Sequence, residues 1–185
     1  LEKIINDPQV KDKNVGEALK DLQALEAVRG NTMQDGVQLH NLPLWQQTKD
    51  VLFFDEATKR YILAIIRGDF DVNETKLMQA ADVWDLRPAT NEEIRDDLGS
   101  EPGFISPVGF AKKGKKSGYP VVIVADASLR TVCNMYGGNN KKLSDLLNIN
   151  IDRDFKPDLE ADIALAQAGV IGPDGNPLTE RKGIE

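Results

Sequence analysis

Seven of the eleven residues from Arg67 to Leu77 are polar or charged, and they follow an apolar run. Arg67, Asp69, Asn73 and Glu74 read as an arginine–carboxylate network with a helix cap, a scaffold at a strand-to-helix junction. Elsewhere the common reactive groups are scarce. His40 is the only histidine and Cys133 the only cysteine. A Ser-His-Asp or Cys-His arrangement would have to use His40, which sits in a loop-like stretch beside Asn41-Leu42-Pro43. One His and one Cys offer no zinc spacing, so no metal site is expected. No G-x-x-x-x-G-K-[ST] loop is present to cradle a nucleotide. Cys133 lies in an apolar context and reads as a core thiol. Glu92-Glu93 and Asp96-Asp97 fit a solvated helix face. What remains is chemistry in which substrate positioning and backbone amides carry most of the catalysis.

The elements that must position such a site follow from local pattern. Asn14 can cap a helix from Val15 to about Arg29, with Gly30 stopping it. Gly30 to Gln38 is polar and reads as loop. Asp50 to Phe54 and Arg60 to Ile66 form a hairpin around a turn at Asp55 to Lys59. Val72 to Ala81 is helical with Asn73 near its start. Thr90-x-x-Glu93 is a capping box for a helix ending near Gly99. Glu101 to Gly109 holds Pro102, Gly103 and Pro107 and is loop. Pro120 to Ala125 is a buried strand, and Ser128 to Tyr136 is helix or strand. Gly137-Gly138-Asn139-Asn140 reads as a turn, Asn148 to Asp152 as a weak strand, and Gly172 to Pro177 as a tight loop. Strands and helices alternate without a regular βαβ cadence. The expected class is therefore α+β, with a mixed, barrel-like sheet core surrounded by helices.

At 185 residues the chain suffices for a single domain, residues 1–185. No apolar run approaches a membrane span of roughly 20 residues, so no membrane partner is expected, and a lone cysteine suits a reducing, cytoplasmic setting. The absence of an initiator Met suggests a fragment. The net charge of −7 argues against general nucleic-acid binding. Lys112, Lys113, Lys115, Lys116 and the pair Lys141-Lys142 are local exceptions and read as solvated loops.

An ordered set of motifs resembles the editing domain inserted in bacterial prolyl-tRNA synthetases. Asn41-Leu42-Pro43 and Thr48-Lys49-Asp50-Val51-Leu52 resemble its N-L-P and V-K-T-L-L segments, and Arg67 to Leu77 its R-G-D-x-x-x-N-E-x-K-L. Next come Ala89 to Ile94, the Pro102-Gly103 to Pro107-Val108 loop, and Val121 to Asp126, similar to a V-V-I-D strand. Gly138-Asn139-Asn140 resembles G-A-N, and Asn150 to Asp154 resembles N-x-D-R-D. Arg181 to Glu185 resembles the junction where the insertion rejoins the synthetase.

The resemblance implies a domain excised from a larger synthetase that hydrolyses mischarged Ala-tRNA(Pro), a double sieve that excludes proline by size. Its implied partners are the tRNA(Pro) acceptor end and the rest of the synthetase. It needs no cofactor, since ATP serves only the synthetase domain. Lys49 is implied to orient the 3′-terminal nucleotide, with Asp126 near the pocket as the second catalytic candidate. The Gly103 to Pro107 loop, including Phe104 and Ser106, is implied to bind the ester or the attacking water, and Gly138 and Asn140 to approach the adenosine. The water-activating group is expected to be the substrate's own ribose hydroxyl. Three departures stand out. Asp145 occupies the position of a family His, Asp7 precedes Pro8 where a Thr is common, and Ser106-Pro107 replaces Gly-Pro. The alternatives are a free-standing deacylase for Cys-tRNA(Pro) or another mischarged tRNA, and an acceptor-end binding domain that hydrolyses nothing.

Overall fold

The computed structural model describes residues 12–168 and 176–179. Two sheets carry the fold. The larger has five strands, β2 (Thr48–Asp55), β3 (Arg60–Arg67), β4 (Leu86–Pro88), β5 (Val121–Asp126) and β8 (Leu159–Ala161), in the order β4-β2-β3-β5-β8. The smaller runs β1-β7-β6, from β1 (Gln23–Glu26), β6 (Met135–Gly138) and β7 (Ser144–Ile149). Two eight-residue α-helices complete the frame, α1 (Met33–His40) and α2 (Glu74–Ala81). This is a mixed α+β fold. No closed barrel is found among the described residues, and the expected ring of helices reduces to these two and a few short turns. No helix among them is long and apolar enough to cross a membrane.

Period-two alternation explains how the large sheet serves two cores. Leu52 and Phe54 of β2, Leu63 and Ile65 of β3, and Ile123 of β5 point to one face, where they meet Met135, Leu146 and Ile149 of the small sheet. Phe53, Ile62, Ala64 and Val124 point to the other, against Leu77 and Ala81 of α2. The β2–β3 hairpin is antiparallel, whereas β5 joins β3 in parallel. Parallel pairing demands a long crossover, and residues 68–120 supply it.

The hairpin, α2 and the buried β5 strand match expectation. So does the Thr90–Glu93 capping box, in which Glu93 accepts from Thr90 N at 2.8 Å and Thr90 Oγ1 accepts from Glu93 N at 3.2 Å. The helix it opens continues as a π-helical turn, Glu93–Asp97. Ser128 to Tyr136 divides into a 3₁₀ turn, Ala127–Thr131, and the start of β6.

Four expected elements need correction, and Asp97, expected on a solvated helix face, is instead buried and accepts from Tyr61 Oη and Ser117 Oγ. Residues 15–29 are not a helix, and Gln23–Glu26 pairs with β7 instead. Asn14 spends its amide on Cys133, donating to its carbonyl and accepting from its N–H, and Val15, Leu19 and Val28 lie exposed. Tertiary pairing has overridden an amphipathic pattern that had nothing to pack against. Residues 30–38 are not all loop, because Thr32 caps α1 in a reciprocal capping box with Asp35. Gly137 and Gly138 are strand residues of β6, so the turn begins at Asn139. The weak strand placed at 148–152 ends earlier, as β7, at Ile149. The readings on Asp7-Pro8 and on Arg181 to Glu185, and most of that on Gly172 to Pro177, lie outside the described residues.

Candidate functional site

A cleft of about 220 Å³ opens where the edge of the large sheet meets β6 and the 101–109 loop. Thr48, Lys49 and Asp50 of β2, Gly137 and Gly138 of β6, and Gly103 and Ile105 of the loop all line it, with Arg29 and Asn31 closing one side.

Close backbone approach shapes this cleft. A Cβ on Gly138 would overlap the carbonyl of Phe104 and come within 2.6 Å of Ile105 O. Only glycine lets β6 lie this near the loop. Gly103 has φ +81° and faces the Asn31 side chain, 2.6 Å from where a Cβ would stand. The loop is pinned by Asn140, whose Oδ1 accepts from Ser100 Oγ at 2.8 Å and Ser106 N at 2.9 Å. Its Nδ2 donates to Ser106 O at 3.1 Å and Val108 O at 2.9 Å, and its backbone N–H donates to Phe104 O at 2.7 Å. With these bonds made, the amide N–H groups of Gly103 and Ile105 have no hydrogen-bond partner among the described residues. Both residues line the cleft, and amides without a partner there can serve a developing oxyanion.

Beneath the loop lies a buried charge cluster. Arg29 donates to both oxygens of Asp145 at 2.6 Å, and His40 Nε2 lies 2.8 Å from Asp145 Oδ2. All three side chains are at most 5% exposed. Burial alone would raise the Asp145 carboxyl, but the His40 and Arg29 contacts outweigh it and hold it below the ordinary carboxylate range. The Arg29 guanidinium also sits 4.5 Å from the centroid of the Phe104 ring, a cation–π contact that props the loop from below.

The sequence candidates therefore separate. Gly103 and Gly138 line the cleft. Phe104, Ser106 and Asn140 build the loop rather than its open wall, and Pro107 closes it by accepting from Phe110 N. Asp145 faces Arg29 and His40, not the cleft. Asp126 is also not a lining residue: its carboxylate accepts from Ser128 N and Ile163 N, both at 2.8 Å. Burial pushes that carboxyl up, against those hydrogen bonds. Lys49 lines the cleft by position, but its ammonium bonds Phe70 O at 2.8 Å and Asp71 Oδ1 at 2.7 Å. Those partners lie on the α2 face of β2, opposite Thr48 and Asp50.

The signature stretch holds its expected scaffold role. Arg67, 1% exposed, donates to Asp69 Oδ1 at 2.6 Å and to Thr131 Oγ1 at 2.7 Å, and Asn73 caps α2. Arg29 and Asp50 are the residues the sequence reading missed. Local pattern places Arg29 at the end of a helix and Asp50 at the start of a strand, with no site role for either. A carboxylate at the mouth of an otherwise apolar alternation was the available signal.

The aminoacyl-tRNA editing domain family matches residues 28–154, which include every cleft residue named here. The chain belongs to this family. Among curated relatives of this editing domain, the proline–tRNA ligase of Xanthomonas campestris pv. campestris strain 8004 is 34% identical over 165 residues, 89% of this chain and 28% of the ligase. That of Brachyspira hyodysenteriae is 33% identical over 180 residues, 95% of this chain and 30% of the ligase. The chain thus spans under a third of these relatives. Its fold is shared with a candidate trans-editing enzyme for prolyl-tRNA synthetase, at TM-score 0.62 and 18% identity, covering 78% of this chain and 87% of that one. The hypothetical protein APE2540 has the same TM-score at 19% identity, covering 78% and 92%.

Proposed function

We propose that this editing domain hydrolyses the ester of mischarged tRNA(Pro), with Ala-tRNA(Pro) as its principal substrate, releasing free alanine and tRNA. The observation that carries this reading is the narrow cleft with two unspent amides at Gly103 and Ile105, in a chain of the editing family. An ester carbonyl seated against those amides gains stabilisation as water attacks and its oxygen becomes anionic. The C–O bond to the ribose then breaks, and the departing oxygen takes up a proton. The substrate's neighbouring ribose hydroxyl orients the water. On this reading the cleft accepts a methyl side chain and rejects a pyrrolidine ring, the selection by size that a double sieve requires. Lys49, on the rim, exchanges its exposed Asp71 partner for a phosphate or hydroxyl of the terminal nucleotide, at little cost because that pair is solvated. The rest of a synthetase chain supplies most of the tRNA affinity, which reconciles a net charge of −7 with a nucleic-acid substrate.

The test is deacylation of Ala-, Cys- and Pro-tRNA(Pro) by the purified chain. Faster loss of Ala-tRNA(Pro) than of the other two supports the reading. Faster loss of Cys-tRNA(Pro) makes the domain a cysteine-selective deacylase. Hydrolysis of all three at the uncatalysed rate leaves only an acceptor-end binding role.

A further inference from the structure

Among the described residues, one buried side-chain polar atom lacks a hydrogen-bond partner, and it is Asp50 Oδ1. The other oxygen, Oδ2, accepts from Thr48 Oγ1 at 2.9 Å. A carboxylate oxygen removed from water without a donor is costly, and folds rarely keep one without a use. Asp50 sits on the face of β2 whose next two members, Leu52 and Phe54, are core residues. An apolar residue there would continue the pattern.

Oδ1 itself is buried, but the side chain stands at the cleft wall, where its neighbours leave room beside the carboxylate. Asp50 and Thr48 line the cleft, and the strand facing them contributes Gly137, where a Cβ would overlap Thr48 Oγ1 and lie 3.7 Å from Asp50 Oδ2. The Arg29 guanidinium on the cleft wall is already committed to Asp145, and the Lys49 ammonium turns to the other face of β2, where it pairs with Asp71. Asp50 has no ion pair among the described residues. An incoming cation would meet an acceptor that no protein group satisfies.

An aminoacyl ester carries one cation near its reacting carbon, the α-ammonium. We propose that Asp50 binds this α-ammonium and so fixes the acyl group with its carbonyl against Gly103 and Ile105. This assignment rests on the deacylase reading above and names the specificity element of that same cleft. Burial pushes the Asp50 carboxyl up to about 7, so a bound ammonium would restore the charged form that burial disfavours. Selection would thus rest on the free amine as well as on side-chain size. Aminoacyl-tRNA would be cleaved, and an ester with a blocked amine spared.

The experiment compares Ala-tRNA(Pro) with N-acetyl-Ala-tRNA(Pro), using the wild-type chain and Asp50→Asn, which keeps shape and removes charge. Wild type should cleave the free-amine ester about 10- to 100-fold faster in kcat/KM, the range of a charge-assisted hydrogen bond. Asp50→Asn should lose that preference by slowing on Ala-tRNA(Pro) alone. Equal cleavage of both esters by wild type overturns the assignment without recourse to the variant. Equal slowing of both by Asp50→Asn also overturns it, since that would place Asp50 on the water or the fold. A wild-type chain inactive on both esters overturns the deacylase reading itself.

Discussion

Arg29 and Asp145 lie 116 positions apart in the chain and meet in a two-pronged ion pair beneath the 101–109 loop, with both N···O distances 2.6 Å. The pair is sealed from water, so removing one partner strands the other. Asp145→Ala should destabilise the fold by about 3–5 kcal/mol, measured by urea denaturation. Asp145→His should also destabilise it, because the buried Arg29 would then lose its carboxylate partner. A gain in stability with Asp145→His would show that the cluster is not held by its charge.

Asn140 holds the loop with both its side chain and its backbone. Asn140→Ala should cost about 1–3 kcal/mol through the unpaired groups it leaves. Misplacing the free amides of Gly103 and Ile105 should lower deacylation about 100-fold. A drop in kcat with KM unchanged is the expected kinetic signature.

Gly138→Ala places a methyl group into the Phe104 carbonyl, which is backbone and cannot turn aside. The loop must move, and activity on Ala-tRNA(Pro) should fall at least as far as in Asn140→Ala. Wild-type rates in this variant would remove Gly138 from the cleft wall.

Two carboxylates set opposite pH responses. Asp50, raised to about 7 from an ordinary value near 3.8, binds its proton more tightly folded than unfolded. Its contribution is complete below pH 3.8 and is lost as pH rises toward 7. Asp55 is buried, which alone would raise it, but hydrogen bonds from Thr58, Asp85 and Trp84 bring it to about 2. Its contribution is present above pH 3.8 and is lost as pH falls toward 2. Melting temperatures of wild type and Asp50→Asn should therefore diverge between pH 5 and pH 8. The variant should be favoured at the upper end by on the order of 1–3 kcal/mol. Parallel curves would contradict the burial of Asp50.

Lys49→Ala removes an ion pair whose Asp71 side chain is 68% exposed. Stability should change by less than about 1 kcal/mol, while deacylation is abolished. Retained activity would take Lys49 out of the site.

What the sequence disclosed followed from how local each signal was. The β2–β3 hairpin, the Asn73 cap and the Thr90 capping box depend on neighbours within a few residues and were legible. The Arg67 stretch announced a scaffold because its arginine and carboxylate lie two positions apart. The 15–29 stripe misled because its fate depends on β7, more than 115 positions downstream. Arg29 and Asp50 escaped for the same reason. Their roles are set by Asp145, Gly137 and the loop, which only the folded chain brings together.

The three-stranded order β1-β7-β6 gives Gln23–Glu26 a role beyond the cleft. The family match begins at residue 28, just past this strand. A chain cut back to that boundary would keep every cleft residue and still bare the hydrogen-bonding edge of β7 over Ser144–Leu147. Such an unprotected edge invites strand addition from another molecule. The trimmed protein would be prone to self-association at the concentrations a binding or structural experiment needs.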